Sequence, residues 1–460
     1  MPPPVALLLT IGFIVYLFRR EARHSPHASK ALWLPFIWLL IISSRSVGQW
    51  LAVIGINALG SSMEEGSPLD ALTFLVLIVM GLAVLVRRRV SLGEVVRNNR
   101  MLAVYFLFCF LSILWSDYPL SAFKRWTKIL GHPVLALIVL TEPDPVEAVG
   151  VIMRRCAYVL FPMSITFIKY FLSIGRGFDD WGLSSCNGVT RNKNELGAIC
   201  MLWSFFFFCS LLSLWKRKPS PERKQQLILI FGLLGMIGYC VAKAHCATAL
   251  VCLAVGSIVA FFAGSKWVKP RYLGTYIVVT AAVVIVEESV FGLSSLVLEA
   301  LGRNSTLTGR TLLWQELLQF PVNRLIGTGF ESFWLGPRLD ALWAAHWWHP
   351  TEAHNGYLET LLNMGILGVI LLLALLFVAF RKAQAELARN VDFGRFKVGL
   401  VIAVTMYNWT EAAFKGLSPI WFLFLLIAID YPSFQSTPGE TFDESLEEPY
   451  MDTTVESAPL

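Results

Sequence analysis

The chain alternates long apolar runs with short clusters of Lys and Arg, and that alternation leaves little choice but a helical membrane fold. Inside a bilayer the backbone has no water to bond. A run of roughly 20 apolar residues therefore crosses as a helix that satisfies its own peptide groups. About thirteen such runs occur, near 4–18, 31–46, 69–86, 101–115, 126–141, 149–172, 195–215, 226–244, 246–263, 272–288, 356–380, 397–411 and 417–430. The expected fold is all-α: a polytopic integral membrane protein with about 12–13 transmembrane helices and a large outer, periplasmic loop containing short helices.

Composition agrees, because 56% hydrophobic and 15% charged residues leave too little polar surface for a soluble protein. The net charge of +6 does not indicate nucleic acid, since the basic residues fall in the short connections between runs. With the N-terminus outside, cytoplasmic connections hold about 24 of the 38 Lys and Arg residues. This bias sets the orientation and brings segments 45–68, 173–195 and 289–355 to the outer face. The first run lacks a basic leader and is followed by Arg19, Arg20 and Arg23, so it reads as a retained span. The eight cysteines lie mostly inside apolar runs with no C-x-x-C pattern, which suits packing. One membrane domain is expected over 1–430, with an outer catalytic loop at about 289–355. Residues 431–460 are acidic, carry no Lys or Arg, and read as a disordered cytoplasmic tail.

Four outer-face constellations carry candidate chemistry. Arg191 and Lys193 precede Glu195 at the start of a span, with Asn194 as the expected N-cap. Cations there oppose the helix dipole unless an anion rests between them, although lipid headgroup contact would serve equally well. Arg310, seven residues after Arg303, lies at the first turn of an amphipathic run that Thr308 or Thr311 can cap. A guanidinium fork beside backbone N–H donors suits phosphate oxygens, so Arg191 and Arg310 read as diphosphate ligands. The plainer alternative for Arg310 is a surface pair with Glu316 or Glu331. His354, with Glu352 or Glu359 to orient it, can take a proton from a sugar hydroxyl. His346, His349, Glu352 and His354 are also close enough in sequence to suggest a metal, but Pro350 interrupts them and the spacing matches no standard zinc motif. Lys243, in an outer turn, is an interface anchor or a further cation for the diphosphate.

These residues resemble the O-antigen ligase and Wzy-type polysaccharide polymerase superfamily, especially its exopolysaccharide-polymerase branch. The resemblance rests on Trp115-Ser116-Asp117 with Pro119, on Arg191 to Gly197, on Thr308 to Trp314, on Gly327-Thr328-Gly329-Phe330, and on His354 to Glu359 followed by Gly365 and Gly368. It runs from about residue 100 to 430. It implies an inverting glycosyl transfer with no metal or other cofactor. The donor would be a polyprenyl-diphosphate-linked oligosaccharide and the acceptor a second glycan or a lipid A core. By this resemblance Arg191 and Arg310 hold the diphosphate and His354 serves as base or acceptor-orienting group; to these the residue reading adds Lys193, Lys243 and Arg303 as diphosphate ligands and Glu352 and Glu359 as catalytic partners of His354. A bacterial inner-membrane location follows, with the active site facing the periplasm and chain-length regulator or export proteins as partners. Many relatives carry Ser-Lys/Arg-Thr where this chain has Cys246-Ala247-Thr248, so one expected cation is missing.

The residues also allow a transporter or flippase of lipid-linked sugars. A carrier usually needs ionisable groups at mid-membrane, whereas Lys169, Lys243, Glu287, Glu288 and Asp430 fall toward span ends.

Overall fold

A computed structural model describes residues 1–24, 28–56, 67–178, 182, 184–291 and 310–431. The expected disordered tail, Arg303 and Thr308 lie outside these residues. The fold is all-α and polytopic. Among the described residues, five helices are long and apolar enough to cross a membrane: Pro68–Arg87, Pro145–Tyr170, Lys193–Trp215, Pro221–Ala244 and Gly356–Arg389. The number rises to seven if two bent pairs each count as a span. These are Lys30–Ile42 with Val47–Val53, bent by 57°, and Leu92–Asn98 with Arg100–Trp115, bent by 101°.

Some runs that read as spans form shorter helices instead. The run at 126–141 divides into Pro119–Ile129 and Gly131–Leu140, and the run at 417–430 yields Pro419–Ala428. A 10-residue helix rises only about 15 Å, half of the hydrocarbon thickness. Every residue of Pro419–Ala428 from Ile420 onward is buried in protein. Apolar composition alone cannot tell lipid contact from burial in a bundle. A two-stranded hairpin also forms on the site side, pairing Arg176–Phe178 with Ser184–Cys186 in antiparallel register.

The bundle centre is built from Lys193–Trp215, Ala247–Ala263, Val391–Thr410 and Gly356–Arg389. Small residues let these helices approach closely. A Cβ added at Gly399 would lie 2.7 Å from the Gly256 carbonyl oxygen, and one at Gly197 would lie 2.5 Å from the Cys246 Cβ.

The helix Gly356–Arg389 is broken at Gly365, whose φ of 65° places it outside the helical region. The groups freed there are taken up by the turn before Phe330. Ile366 N donates to the Arg324 carbonyl at 2.9 Å, Thr328 N to that of Leu362 at 3.1 Å, and Gly329 N to that of Asn363 at 2.8 Å. Trp115 Nε1 donates to the Ile326 carbonyl at 3.0 Å, and Ser116 and Ser332 share a hydroxyl bond of 2.5 Å. Three motifs far apart in sequence thus form one junction. A Cβ on Gly365 would meet the Leu325 carbonyl carbon at 2.3 Å. Gly365→Ala is expected to destabilise the protein by about 1–3 kcal/mol through backbone strain alone. A lowered melting temperature in detergent is the check, and an unchanged one would contradict the packing described.

Candidate functional site

The candidate site lies at one end of the bundle, where three long helices begin or end. Its first wall is the loop before Lys193–Trp215. Arg45 fixes this loop by donating to the carbonyls of Ile174 at 2.7 Å and Thr190 at 3.0 Å. The helix is capped by Asn192, whose Oδ1 accepts from Glu195 N at 2.9 Å, two residues earlier than the Asn194 expected from sequence. Asn192 wins because it has the extended backbone that a cap requires. Glu195 reaches back to Arg191 N at 3.0 Å and Nε at 2.7 Å. Its carboxylate is the main reason that the Arg191 guanidinium is held above its ordinary pKa.

The second wall is the interfacial helix Arg310–Leu317. Leu313 and Leu317 bury into a small core with Phe333, Trp334, Leu342 and Leu362, which anchors the helix and sets the direction of Arg310. Arg310 pairs with neither Glu316 nor Glu331. Its Nη2 donates to Glu411 Oε1 at 2.7 Å and its Nη1 to the Thr410 carbonyl. Burial acts against its charge, but Glu411 outweighs that and raises its pKa.

The third wall is the loop before Gly356–Arg389. Asn355 caps this helix, accepting from Tyr357 N at 3.0 Å and Leu358 N at 3.1 Å. His354 precedes the cap in a left-handed conformation, φ 48°, which is a strained state for a non-glycine residue. Its Nδ1 lies 3.1 Å from Glu352 Oε1 and 3.1 Å from Glu411 Oε2. Glu352 Oε2 is 3.0 Å from Lys415 Nζ. Glu359 has a positioning geometry, because its carboxylate accepts from Trp334 Nε1 at 2.7 Å and from Ala353 N at 3.0 Å. It thereby holds the loop that presents Glu352 and His354.

These charges fix their own protonation states. Burial disfavours the His354 imidazolium, but Glu352 and Glu411 raise its pKa to about 10. Burial likewise opposes ionisation of Glu352, yet Lys415 and His354 hold its carboxyl well below the usual range. For His354 the folded pKa lies above the unfolded one. Its stabilising contribution is therefore complete below about 6.5 and lost as pH rises through about 10. For Glu352 the contribution is lost only in acid. Thermal stability is expected to decline between about pH 6.5 and 10, and His354→Gln to flatten that decline. An identical slope in the variant would contradict the ion-pair assignment.

A cavity of about 560 Å³ joins the walls and is lined by Arg191, Glu352, His354, Glu359, Glu411 and Lys415, among others. Arg310, Lys193 and Lys243 are not among its lining residues, and Arg310 reaches it only through Glu411. Lys243 is exposed on the last turn of Pro221–Ala244, and the chain reverses at His245 before Cys246-Ala247-Thr248. Glu411 and Lys415 are the site residues that sequence reasoning missed. Their signal was a carboxylate and a lysine in the short turn between the runs at 397–411 and 417–430, on the same face as Arg191.

Glu352, His354 and Glu411 present three ligand atoms within 4.8 Å of one another, a spacing a metal ion could use. Both carboxylates are already matched by Arg310 and Lys415, so a cation would have to displace an existing partner. The histidines expected alongside them lie elsewhere. His346 Nε2 is 2.6 Å from Glu316, and His349 packs on the Trp343 ring with centroids 5.0 Å apart.

Residues 231–373 match the family model described as O-Antigen ligase, a region that includes Arg310, Glu352, His354 and Glu359. The chain is 28% identical over 293 residues to the exopolysaccharide production protein ExoQ of Rhizobium meliloti, covering 60% of this chain. The chain spans 62% of that relative's length. Together with the all-α polytopic fold, these matches describe a multi-pass membrane protein that is similar to the O-antigen ligase/polymerase-like family.

Proposed function

We propose that the protein is a membrane glycosyltransferase that joins polyprenyl-diphosphate-linked oligosaccharide repeat units into exopolysaccharide or O-antigen by a metal-independent inverting transfer. The observation that carries this reading is the bridge made by Glu411, which ties Arg310 to His354 at a cavity lined by His354, Glu411 and Arg191. Cations suited to a diphosphate and a group suited to a hydroxyl thus meet across a single carboxylate.

In the proposed step the acceptor hydroxyl oxygen bonds to the anomeric carbon. The bond from that carbon to the diphosphate oxygen breaks, and its electron pair leaves with the diphosphate. Arg191 and Arg310 stabilise that growing charge more than they stabilise the bound donor. Arg310 uses two N–H groups on Glu411 and Thr410, which leaves three for phosphate oxygens. Lys415, not Lys243, supplies the cation absent at Ala247. His354 at neutral pH is an imidazolium that orients the acceptor, and Glu352, the more exposed carboxylate, takes the hydroxyl proton. The printed name of the relative favours a polymer as product. The outer ends of the helices would face the periplasm of a bacterial inner membrane, residues 1–430 would act as one domain, and the lipid tail of the donor would lie among the spans.

The test is purified protein in detergent with a defined polyprenyl-diphosphate oligosaccharide. Longer lipid-linked chains are expected, and chelation of divalent metal should leave their rate unchanged. Products whose length never changes would sink the enzyme reading, since no compartment exists for a transporter to cross. Transfer only onto an added lipid A core would make it a ligase.

A further inference from the structure

The geometry points to a saccharide-stacking ledge at the rim of the cavity, formed by Trp343, Trp347, Trp348 and His349, which binds the pyranose rings of the glycan entering or leaving the site. This inference rests on the glycan-transfer reading and adds a binding surface to it.

The ledge is built by a turn that follows the helix Pro337–Ala345. His349 N donates to the His346 carbonyl at 3.1 Å, closing the turn. His349 itself has a φ of 49°, a second non-glycine residue in the left-handed region within six residues of His354. Such a conformation is strained and persists only where neighbours enforce it. Here His346 is pinned to Glu316 at 2.6 Å, and Trp343 Nε1 donates to the Pro350 carbonyl at 3.1 Å. The turn seats Trp343 and Trp348 against the small core around Leu313 and Leu342 and leaves Trp347 66% exposed. It sets the aromatic surface. Trp348 and His349 line the cavity with Glu352 and His354, and Trp347, next to them in the chain, is exposed.

A large exposed indole beside a polar cavity requires an occupant that is apolar on one face and hydroxylated at its edges. A pyranose ring is such an occupant. Its axial C–H bonds meet the negative face of the indole, while its hydroxyls remain in water or reach nearby polar groups. An acyl chain fits less well, because the turn is held by a polar His346–Glu316 contact and carries imidazoles against two of its indoles. Interfacial tryptophans do anchor membrane proteins, so the bilayer is the competing occupant to be tested.

The experiment uses full-length protein in nanodiscs and lipid-free oligosaccharides cut from the host's own exopolysaccharide. Saturation transfer from protein to the sugar ring protons is expected for wild type and for Trp347→Phe. Trp347→Ala should weaken binding by about fivefold or more, the scale of one lost stacking contact. Equal binding by Trp347→Ala overturns the ledge, as does emission assigned to Trp347 by difference that brominated lipids quench and sugar leaves unchanged. Binding needs no transfer chemistry, which separates the two claims. If chain extension is absent but sugar binding depends on Trp347, the ledge stands and the enzyme reading fails; the reverse pattern sinks the ledge alone.

Discussion

His354→Ala is expected to lower glycan transfer by about 10²- to 10⁴-fold while leaving membrane insertion unchanged. The ring is held through Nδ1 by two carboxylates, and no hydrogen bond from Nε2 is present among the described residues, so Nε2 is the edge left for a substrate. Removing it takes away the group that orients the acceptor. Glu352 is then paired with Lys415 alone. His354→Gln keeps an N–H donor and should recover part of the loss, which a role as proton acceptor would not allow. The wild-type rate should also fall as pH rises through about 10, where the imidazolium is lost. A purified Ala variant that extends chains at the normal rate would remove His354 from the reaction.

Arg310→Ala should cost about 10²- to 10³-fold in transfer, the range typical for loss of one fixed donor to a developing anion. It should also destabilise the protein, because Glu411, with its side chain 8% exposed, loses its guanidinium partner and keeps only the His354 contact. Breaking one side of such a pair typically costs about 3–5 kcal/mol. The double variant Arg310→Ala/Glu411→Ala separates the two effects. It should regain most of the melting temperature, since no carboxylate is left without its guanidinium, yet stay inactive. Recovery of transfer in the double variant would show that Arg310 serves only as a partner for Glu411.

The outer-face motifs differed in how much of their role could be read from the chain. Arg191, Arg310 and His354 stand beside helix starts, and the patterns that mark a cap or a first turn are local, so their placement was visible. Their partners were not. Glu411 follows His354 by 57 residues and Arg310 by 101, and nothing in its neighbourhood shows which cation it will meet. The same holds for Gly327 and Gly365, which look like ordinary turn and helix glycines until the break in one is seen to bind the backbone of the other.

By itself the sequence determined the solvent: runs of apolar residues too long and too many for water dictate a helical membrane protein, because only helices can satisfy their backbone in lipid. It also determined which polar segments were candidates for chemistry. Only the tertiary structure decided which apolar runs form helices long enough to cross and which form short helices buried in protein, since lipid and a protein core reward the same residues. Only it decided that Glu411 and Lys415 complete the site and that Lys243 stands outside its wall. Charge pairing acts through space over a few ångströms, and distance along the chain does not encode it.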